Sequence, residues 1–193
     1  AFTISEYCKS IMNAGLLKTA INYSKRFNIP VLSHCEDKAL VGGGVMNAGV
    51  QSQIMGLKGI SNDSEYVIAA RDIILAETTG AKLHLCHVST RGSVQLLREA
   101  HARGVNVTAE CCPHHFTLSD EAVTSYDANT KMNPPLRSNE DVEALRNALK
   151  DNTINVIATD HAPHSIDEKN CEYDKAAFGI VGLETAFALG KTV

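Results

Sequence analysis

Side chains able to bind a metal ion follow four strand-like runs of this 193-residue sequence. The positions are His34, His87, the pair His114-His115 and the pair Asp160-His161. Imidazole and carboxylate groups are ligands that zinc favours. In parallel α/β folds, ligands bind at the carboxyl ends of the strands, where these residues fall. We therefore predict a zinc site formed by histidines and an aspartate from these positions.

A single histidine at a strand end is more often a hydrogen-bonded partner than a metal ligand. The prediction depends on several such positions meeting in one parallel array. Two histidines and one aspartate leave a catalytic zinc site short of protein ligands or bridged to a second metal, so part of the ligand set should lie elsewhere. His114 and His115 could equally be loop packing, and we leave them out of the site.

The remaining candidates have simpler interpretations. We expect His84 to lie in the core or to support a ligand, and His101 to lie on the surface. Cys111-Cys112 lacks an obvious activating base, so a nucleophilic role is not expected. Asn133 precedes two prolines, which is also typical of a residue that begins a turn.

Short β-favouring runs alternate with helical periodicity along the chain. The runs cover residues 29–33, 82–86, 105–109 and 154–158. Three sets of apolar residues have helical spacing, and each set shares one face of a predicted helix. The sets are Leu16, Ala20, Tyr23 and Phe27; Val94 and Leu97; and Val142, Leu145 and Leu149. Asn62 with Glu65, and Ser138 with Asp141, resemble helix starts, while Gly80 and Gly104 resemble helix ends.

This repetition predicts an α/β fold with a parallel sheet, either doubly wound or a (β/α)8 barrel. Only about four or five βα units fit, whereas a complete barrel needs about 250 residues, so a partial barrel is the simpler interpretation. One domain over residues 1–193 is sufficient. Residues 39–61 and 165–178 are expected to be loops over the working face.

Composition narrows the possible partners. The net charge is −4, and the sequence contains no basic stripe, which argues against nucleic acid. No apolar run approaches the roughly 20 residues that span a bilayer, so no membrane association is expected. The six cysteines form no CxxC motif, which favours reduced thiols and a cytoplasmic protein. A small-molecule substrate is the remaining expectation.

Six strings of the sequence resemble the dihydroorotase family of the amidohydrolase superfamily. They occur in the family's order and at its spacings over almost the whole chain. The string Asn133-Pro134-Pro135-Leu136-Arg137 discriminates best, because the related allantoinases and hydantoinases generally differ there. The strings cover residues 33–37, 87–90, 113–115, 131–137, 159–164 and 178–185.

The resemblance implies interconversion of N-carbamoyl-L-aspartate and (S)-dihydroorotate in pyrimidine synthesis, with two zinc ions at the open end of a (β/α)8 barrel. It implies that His34 and His87 bind one zinc. It also implies that Asp160 binds the other zinc and is the catalytic acid-base. The implied substrate contacts are Asn133, His164, Phe178 and Gly179.

The sequence departs from the family pattern at two places. The family's His-x-His pair and the arginine after it are absent, which suggests a piece of a longer polypeptide. Tyr7 stands where the family carries an aspartate that bridges the metals, and a phenol that titrates near 10 is a poor anionic bridge.

Two hypotheses follow from these departures. The first is an enzyme fragment that holds one zinc weakly or none and is inactive alone. The alternative is a non-catalytic homologue, a partner of aspartate transcarbamoylase. A truncated barrel also exposes strand edges, which favours oligomerisation.

Overall fold

The computed structural model describes residues 2–5 and 9–193, and its central feature is a five-stranded parallel sheet. The sheet order is β1-β2-β5-β6-β7, and β3 and β4 form a separate parallel pair. The strands are β1 (Ile4–Ser5), β2 (Val31–Ser33), β3 (Met46–Asn47), β4 (Gly59–Ile60), β5 (Leu83–Leu85), β6 (Val107–Cys111) and β7 (Val156–Ile157).

Helices lie between successive strands of the large sheet, and the last two helices follow its last strand. They are α1 (Ala14–Ser24), α2 (Lys38–Val41), α3 (Val50–Met55), α4 (Asp63–Thr79), α5 (Arg91–Ala102), α6 (Pro113–Thr117), α7 (Asn139–Lys150), α8 (Ile166–Lys169) and α9 (Ala186–Gly190). Short 3₁₀ helices cover Lys25–Phe27, Asp120–Ser125 and Ala128–Thr130. The four connections from β1 to β7 are the βα repetition expected of a partial barrel, and this fold prediction is confirmed.

The main core lies between the large sheet and the helices that cover it. Leu83 and Leu85 of β5, Val94 and Leu97 of α5, and Leu145 of α7 are almost fully buried in one cluster. Each of the four predicted runs overlaps an observed strand. Three of these strands are shorter than the predicted run, and β6 extends two residues beyond it. The sequence of a buried parallel strand is a short apolar run because both faces of the strand are covered.

The buried face of α1 differs from the predicted one. The sequence pattern grouped Leu16 with Tyr23, but their exposed fractions are 60% and 55%. Leu17 and Ile21 instead face the sheet and are fully buried with Val31. Both stripes have helical spacing, so periodicity established the helix and could not choose between them.

The two predicted loops contain more regular structure than expected. Residues 39–61 hold α3 and the β3–β4 pair, with Met46 almost fully buried. Residues 165–178 begin with α8, where the Ser165 hydroxyl and the Glu168 carboxylate form a capping box. Two-residue strands and one-turn helices are too short to produce a periodic signal.

The helix ends test the capping predictions. Ser138 begins α7 and its hydroxyl accepts from the amide of Asp141, as predicted. Gly80 ends α4 with a φ of +65°, as predicted. Asn62 does precede α4, but its side chain makes no cap bond. Glu65 does not complete a capping box, and its carboxylate has a different set of partners described below.

Within residues 2–5 and 9–193, no helix combines the length and apolar character needed to cross a bilayer.

Candidate metal centre

His34 is positioned by bonds on both sides of the end of β2. The hydroxyl of Ser33 donates to the buried carboxylate of Asp72 on α4, at 2.5 Å. The hydroxyl of Ser10 donates to the carbonyl of His34 and accepts from the amide of Glu36, the latter at 2.8 Å. The backbone around His34 is therefore fixed by α4 and by the segment that precedes α1.

His34 and His87 meet across neighbouring strands. Nδ1 of His34 lies 2.6 Å from Nε2 of His87, and the ring centroids are 4.5 Å apart in an edge-to-face arrangement. Burial, together with the nearby His34 ring, lowers the pKa of His87 to about 4. His87 is therefore neutral at pH 7, the form of imidazole that binds metal ions.

Asp160 completes the group from the end of β7. One cavity of about 220 Å³ is lined by His34, His87 and Asp160 together with Met132, Asn133, Ala162 and Phe178. Burial and the negative charge of Glu110 raise the pKa of Asp160, against an opposing effect of His34. A carboxyl with a raised pKa is suited to taking up and returning a proton.

Two of these residues have an uncommon backbone conformation. The φ of His87 is +36° and that of Asp160 is +44°. Left-handed conformations outside glycine carry strain and cluster at functional sites, where the surrounding structure holds them. In both cases the turn directly after the strand directs the side chain toward the cavity.

The donor atoms that border this cavity are of the types that zinc binds. The cavity offers two imidazoles and one carboxylate from the ends of three different strands, and zinc binds nitrogen and oxygen donors of this kind. His34 and His87 lie in direct ring contact, so both present nitrogen atoms to the same small volume.

Glu65 holds the loop that carries His87. Its buried carboxylate accepts from the amides of Ser89 and Thr90 at 3.0 to 3.1 Å, and from the Thr90 and Ser93 hydroxyls at 2.8 and 2.7 Å. Arg137 donates to the Ser89 hydroxyl at 3.1 Å. This buried charge therefore fixes the start of α5 and, through it, the turn at His87.

Glu110 is a second acid that the sequence did not single out. Its carboxylate is bonded to His84 at 3.1 Å and accepts from the backbone amide of His87. Burial opposes ionisation of Glu110, but the hydrogen bond to His84 and the proximity of the His84 and His87 rings outweigh it, so the pKa of Glu110 is lowered. A charged residue near the end of a mostly apolar strand was the available signal.

Asn133 and His34 are linked by Glu36. The Asn133 amide donates to one carboxylate oxygen of Glu36 at 2.7 Å, and Nε2 of His34 lies 3.5 Å from the other oxygen. The bond to His34 is the main reason that the pKa of Glu36 is lowered. Glu36 was also missed, although it directly follows the candidate ligand in the sequence.

The remaining implied contacts are only partly at this cavity. Phe178 lines it, but His164 lines a separate cavity of about 430 Å³ and bonds through Nε2 to the Phe178 carbonyl at 2.9 Å. The amide of Gly179 donates to the Lys131 carbonyl at 2.9 Å. Tyr7 lies outside the described residues.

The other sequence candidates have clear positions. His101 is partly buried and bonds to the Val107 carbonyl at 3.0 Å, so it is less exposed than expected. Cys111 and Cys112 are fully buried. Burial raises the pKa of the Cys111 thiol to about 12 and that of Cys112 further, which is consistent with no nucleophilic role.

Residues 1–93 match the family described as Dihydro-orotase-like. The chain is 59% identical to the dihydroorotase of Pelotomaculum thermopropionicum over 98% of its own length, and 53% identical to that of Acetivibrio thermocellus over all of it. The chain belongs to the dihydroorotase-like family. It spans 44% and 45% of those two relatives, so it covers less than half of their length.

Solved structures support the fold assignment. The chain superposes on a D-hydantoinase (dihydropyrimidinase) from Thermus sp. with a TM-score of 0.81 and 24% identity, covering all of this chain and 44% of that one. The dihydroorotase from Campylobacter jejuni gives a TM-score of 0.66 at 20% identity, covering 92% of this chain and 46% of the other. A dihydroorotase-like chain with this topology is therefore a partial barrel.

Proposed function

We propose that this chain contributes to a zinc-dependent dihydroorotase that interconverts N-carbamoyl-L-aspartate and (S)-dihydroorotate. The convergence of His34, His87 and Asp160 on one cavity carries the proposal. The high identity to proteins named dihydroorotase supports the choice of substrate over other cyclic amides. Because the chain spans under half of those relatives, the activity is proposed for the complete barrel.

The imidazoles of His34 and His87 and the carboxylate of Asp160 would hold zinc. The bound cation supplies a Lewis acid for the ring carbonyl and lowers the pKa of a water molecule. We propose His34 and His87 as ligands of one ion and Asp160 as a ligand of the second ion in the complete site.

Asp160 is the proposed acid-base. Its carboxylate takes the proton of the attacking water and returns it to the amide nitrogen as the ring opens, and ring closure reverses these transfers. The raised pKa of Asp160 supports this role because it makes the carboxylate a stronger base for taking the proton of the water. Its place at the cavity wall supports contact with the reacting amide.

Asn133, His164, Phe178 and Gly179 are the proposed substrate contacts. Glu36 orients the Asn133 amide at the cavity wall. His164 would donate to a substrate carboxylate, which requires it to exchange its present bond to the Phe178 carbonyl. The Gly179 amide is likewise committed to Lys131 and would have to exchange that bond.

A replacement chimera tests the proposal. Residues 1–193 would replace the matching segment of the Pelotomaculum thermopropionicum dihydroorotase, which is 59% identical. We expect ring closure by the chimera and a loss of it in Asp160→Asn. An inactive chimera that folds and binds zinc would contradict the proposal.

The alternative function is that of a non-catalytic partner of aspartate transcarbamoylase, and Tyr7 is the observation that favours it. In the same chimera, Tyr7→Asp separates the two proposals. A large gain of activity on introducing the aspartate, from an inactive chimera, would favour the non-catalytic partner.

We also propose a cellular location, a domain organisation and a partner for this chain. Cys111, Cys112 and Cys171 are free thiols, which supports a reducing, cytoplasmic setting. Residues 1–193 are proposed as one domain because the large sheet runs from β1 to β7. A second copy or aspartate transcarbamoylase is the proposed partner, to be tested by light scattering of the purified protein with and without the transcarbamoylase.

A further inference from the structure

Three potential metal ligands lie together at the start of α6. Cys112 immediately precedes the helix, and His114 and His115 are in its first turn. One ligand atom of each residue lies within 4.8 Å of the other two. All three side chains are buried, with exposed fractions of 0% for Cys112, 4% for His114 and 2% for His115.

The two histidines have ring nitrogens that no described residue satisfies. In residues 2–5 and 9–193, neither nitrogen of His114 has a hydrogen-bond partner, and Nδ1 of His115 also has none. Nε2 of His115 lies 2.8 Å from the Pro134 carbonyl, so Nε2 carries the hydrogen and Nδ1 keeps its lone pair. Buried polar groups normally have partners, so these three nitrogens need an explanation.

The chemistry of the three side chains matches one kind of ligand. A thiolate and two neutral imidazoles form a donor set that zinc and cobalt(II) favour over magnesium or calcium. Burial lowers the pKa of His114 to about 2 and of His115 to about 3, so both rings are neutral at pH 7. The Cys112 thiol would lose its proton on binding.

These residues form a set separate from the candidate metal centre. None of the three lines the cavity of His34, His87 and Asp160. The His115 bond to the Pro134 carbonyl joins α6 to the residue after Asn133. A metal ion at α6 would therefore anchor the segment that carries Asn133.

We propose that Cys112, His114 and His115 bind a zinc ion that stabilises the start of α6. This site does not depend on the proposed dihydroorotase activity. The ion would supply a partner for Nδ1 of His115 and for one ring nitrogen of His114.

Cobalt(II) binding to the metal-free 193-residue chain tests the proposal. Thiolate ligation gives a charge-transfer absorption in the near ultraviolet, which nitrogen and oxygen ligands do not give. We expect this absorption in the parent chain and in His34→Ala/His87→Ala, and its loss in Cys112→Ser. The neighbouring buried Cys111→Ser and the exposed Cys171→Ser are matched controls that should keep it. Absence of the absorption in the parent, or its survival in Cys112→Ser, would overturn the proposal.

A second variant covers the case in which Cys112→Ser does not fold. Leucine in place of His114 removes the unpaired nitrogens and fills a similar volume, so the metal-free chain should fold. In the His34→Ala/His87→Ala background, we expect zinc to raise the melting temperature and His114→Leu to abolish that rise. If zinc raises the melting temperature equally with and without His114→Leu in this background, His114 is not a ligand. This result does not depend on the activity of the complete enzyme.

Discussion

Nδ1 of His34 lies 2.6 Å from Nε2 of His87, so the two candidate ligands from neighbouring strands contact each other directly. One nitrogen donates and the other accepts, which requires at least one ring to be neutral. A metal ion would replace this ring-to-ring bond with two bonds to the cation. The contact therefore indicates the part of the cavity in which the ion would bind.

Alanine at His34 or His87 should weaken zinc binding by the candidate centre. We expect the loss of either ring to lower affinity strongly, because each supplies a nitrogen donor. Calorimetric titration in a Cys112→Ser background isolates this centre. His101→Ala is the matched control, since that histidine bonds to the Val107 carbonyl away from the cavity. Equal affinity in the parent and in His34→Ala would exclude His34.

Asp160→Asn should abolish ring closure in the chimera while leaving the fold intact. Asparagine tolerates the positive φ of +44° at this position, so the backbone should be kept. The amide cannot take the proton that the carboxylate takes. The turnover number and the circular dichroism spectrum are the measurements, and turnover close to the parent value would reject Asp160 as the acid-base.

Asn133→Ala should mainly weaken substrate binding. Its amide borders the cavity and is oriented by Glu36, and neither group is needed for the proton transfer proposed for Asp160. We therefore expect KM to rise while kcat stays near the parent value. A fall in kcat with unchanged KM would contradict a binding role. Asn129→Ala, at a 3₁₀ helix away from this cavity, is the control.

Glu65→Gln should destabilise the chain by about 2–4 kcal/mol, since a buried, fully bonded charge is removed from the loop after His87. The amide group of glutamine would place donors against the Ser89 and Thr90 amides, which also donate. Urea unfolding measures the effect. Glu99→Gln, on the solvent side of α5, should change stability little, and equal effects in the two variants would count against the network.

Stability should fall in acid because of the buried histidines. Burial lowers the pKa of His87 to about 4 and of His115 to about 3, so the unfolded chain binds more protons than the folded chain below about pH 6.5. Their contribution is present above that pH and is lost as pH falls toward 4, at up to ~1.4 kcal/mol per pH unit for each histidine.

Urea unfolding with chelator at several pH values checks the sign. His115→Gln should reduce the slope between pH 6.5 and 4 by about one proton. The carboxyls of Asp72, Asp120 and Asp160 have raised pKa values and act in the opposite direction at the acid end. An unchanged slope in His115→Gln would show that His115 is protonated in the fold.

Gly179→Ala should destabilise the wall of the cavity next to Phe178. A Cβ there would lie 2.4 Å from the Ala162 carbonyl oxygen, and the φ of +156° is poorly tolerated by other residues. We expect a loss larger than the roughly 1–3 kcal/mol typical of backbone strain alone. Gly43→Ala has a positive φ but no neighbour within 4 Å, so it measures strain without the clash. Similar losses in both would contradict the packing argument.

The sequence was sufficient for the parallel sheet. It also placed His34, His87 and Asp160 after strands, and these residues line one cavity because the ends of parallel strands meet at one sheet edge. Their role in metal binding stays a prediction.

The sequence was insufficient for Glu65, whose spacing from Asn62 fits a capping box although its real partners are 24 to 28 residues away. It also could not choose the buried face of α1, where Leu16 and Leu17 begin equally good stripes.

The two acidic residues around the site could not be predicted from the sequence for a related reason. Glu36 and Glu110 lie beside the candidate ligands, but their partners come from distant parts of the chain, at Asn133 and at His84. Local patterns give the faces of helices and the ends of strands. Bonds between such distant segments depend on tertiary packing, which a single sequence does not display.

The left-handed turns at His87 and Asp160 restrict how these two positions can change during evolution. Branched residues such as valine and isoleucine are strongly disfavoured there, whereas glycine, asparagine, aspartate and histidine are tolerated. Most of the tolerated side chains can bind a cation. A lineage that lost catalysis would therefore tend to keep ligand-type residues at these positions, for reasons of backbone shape alone.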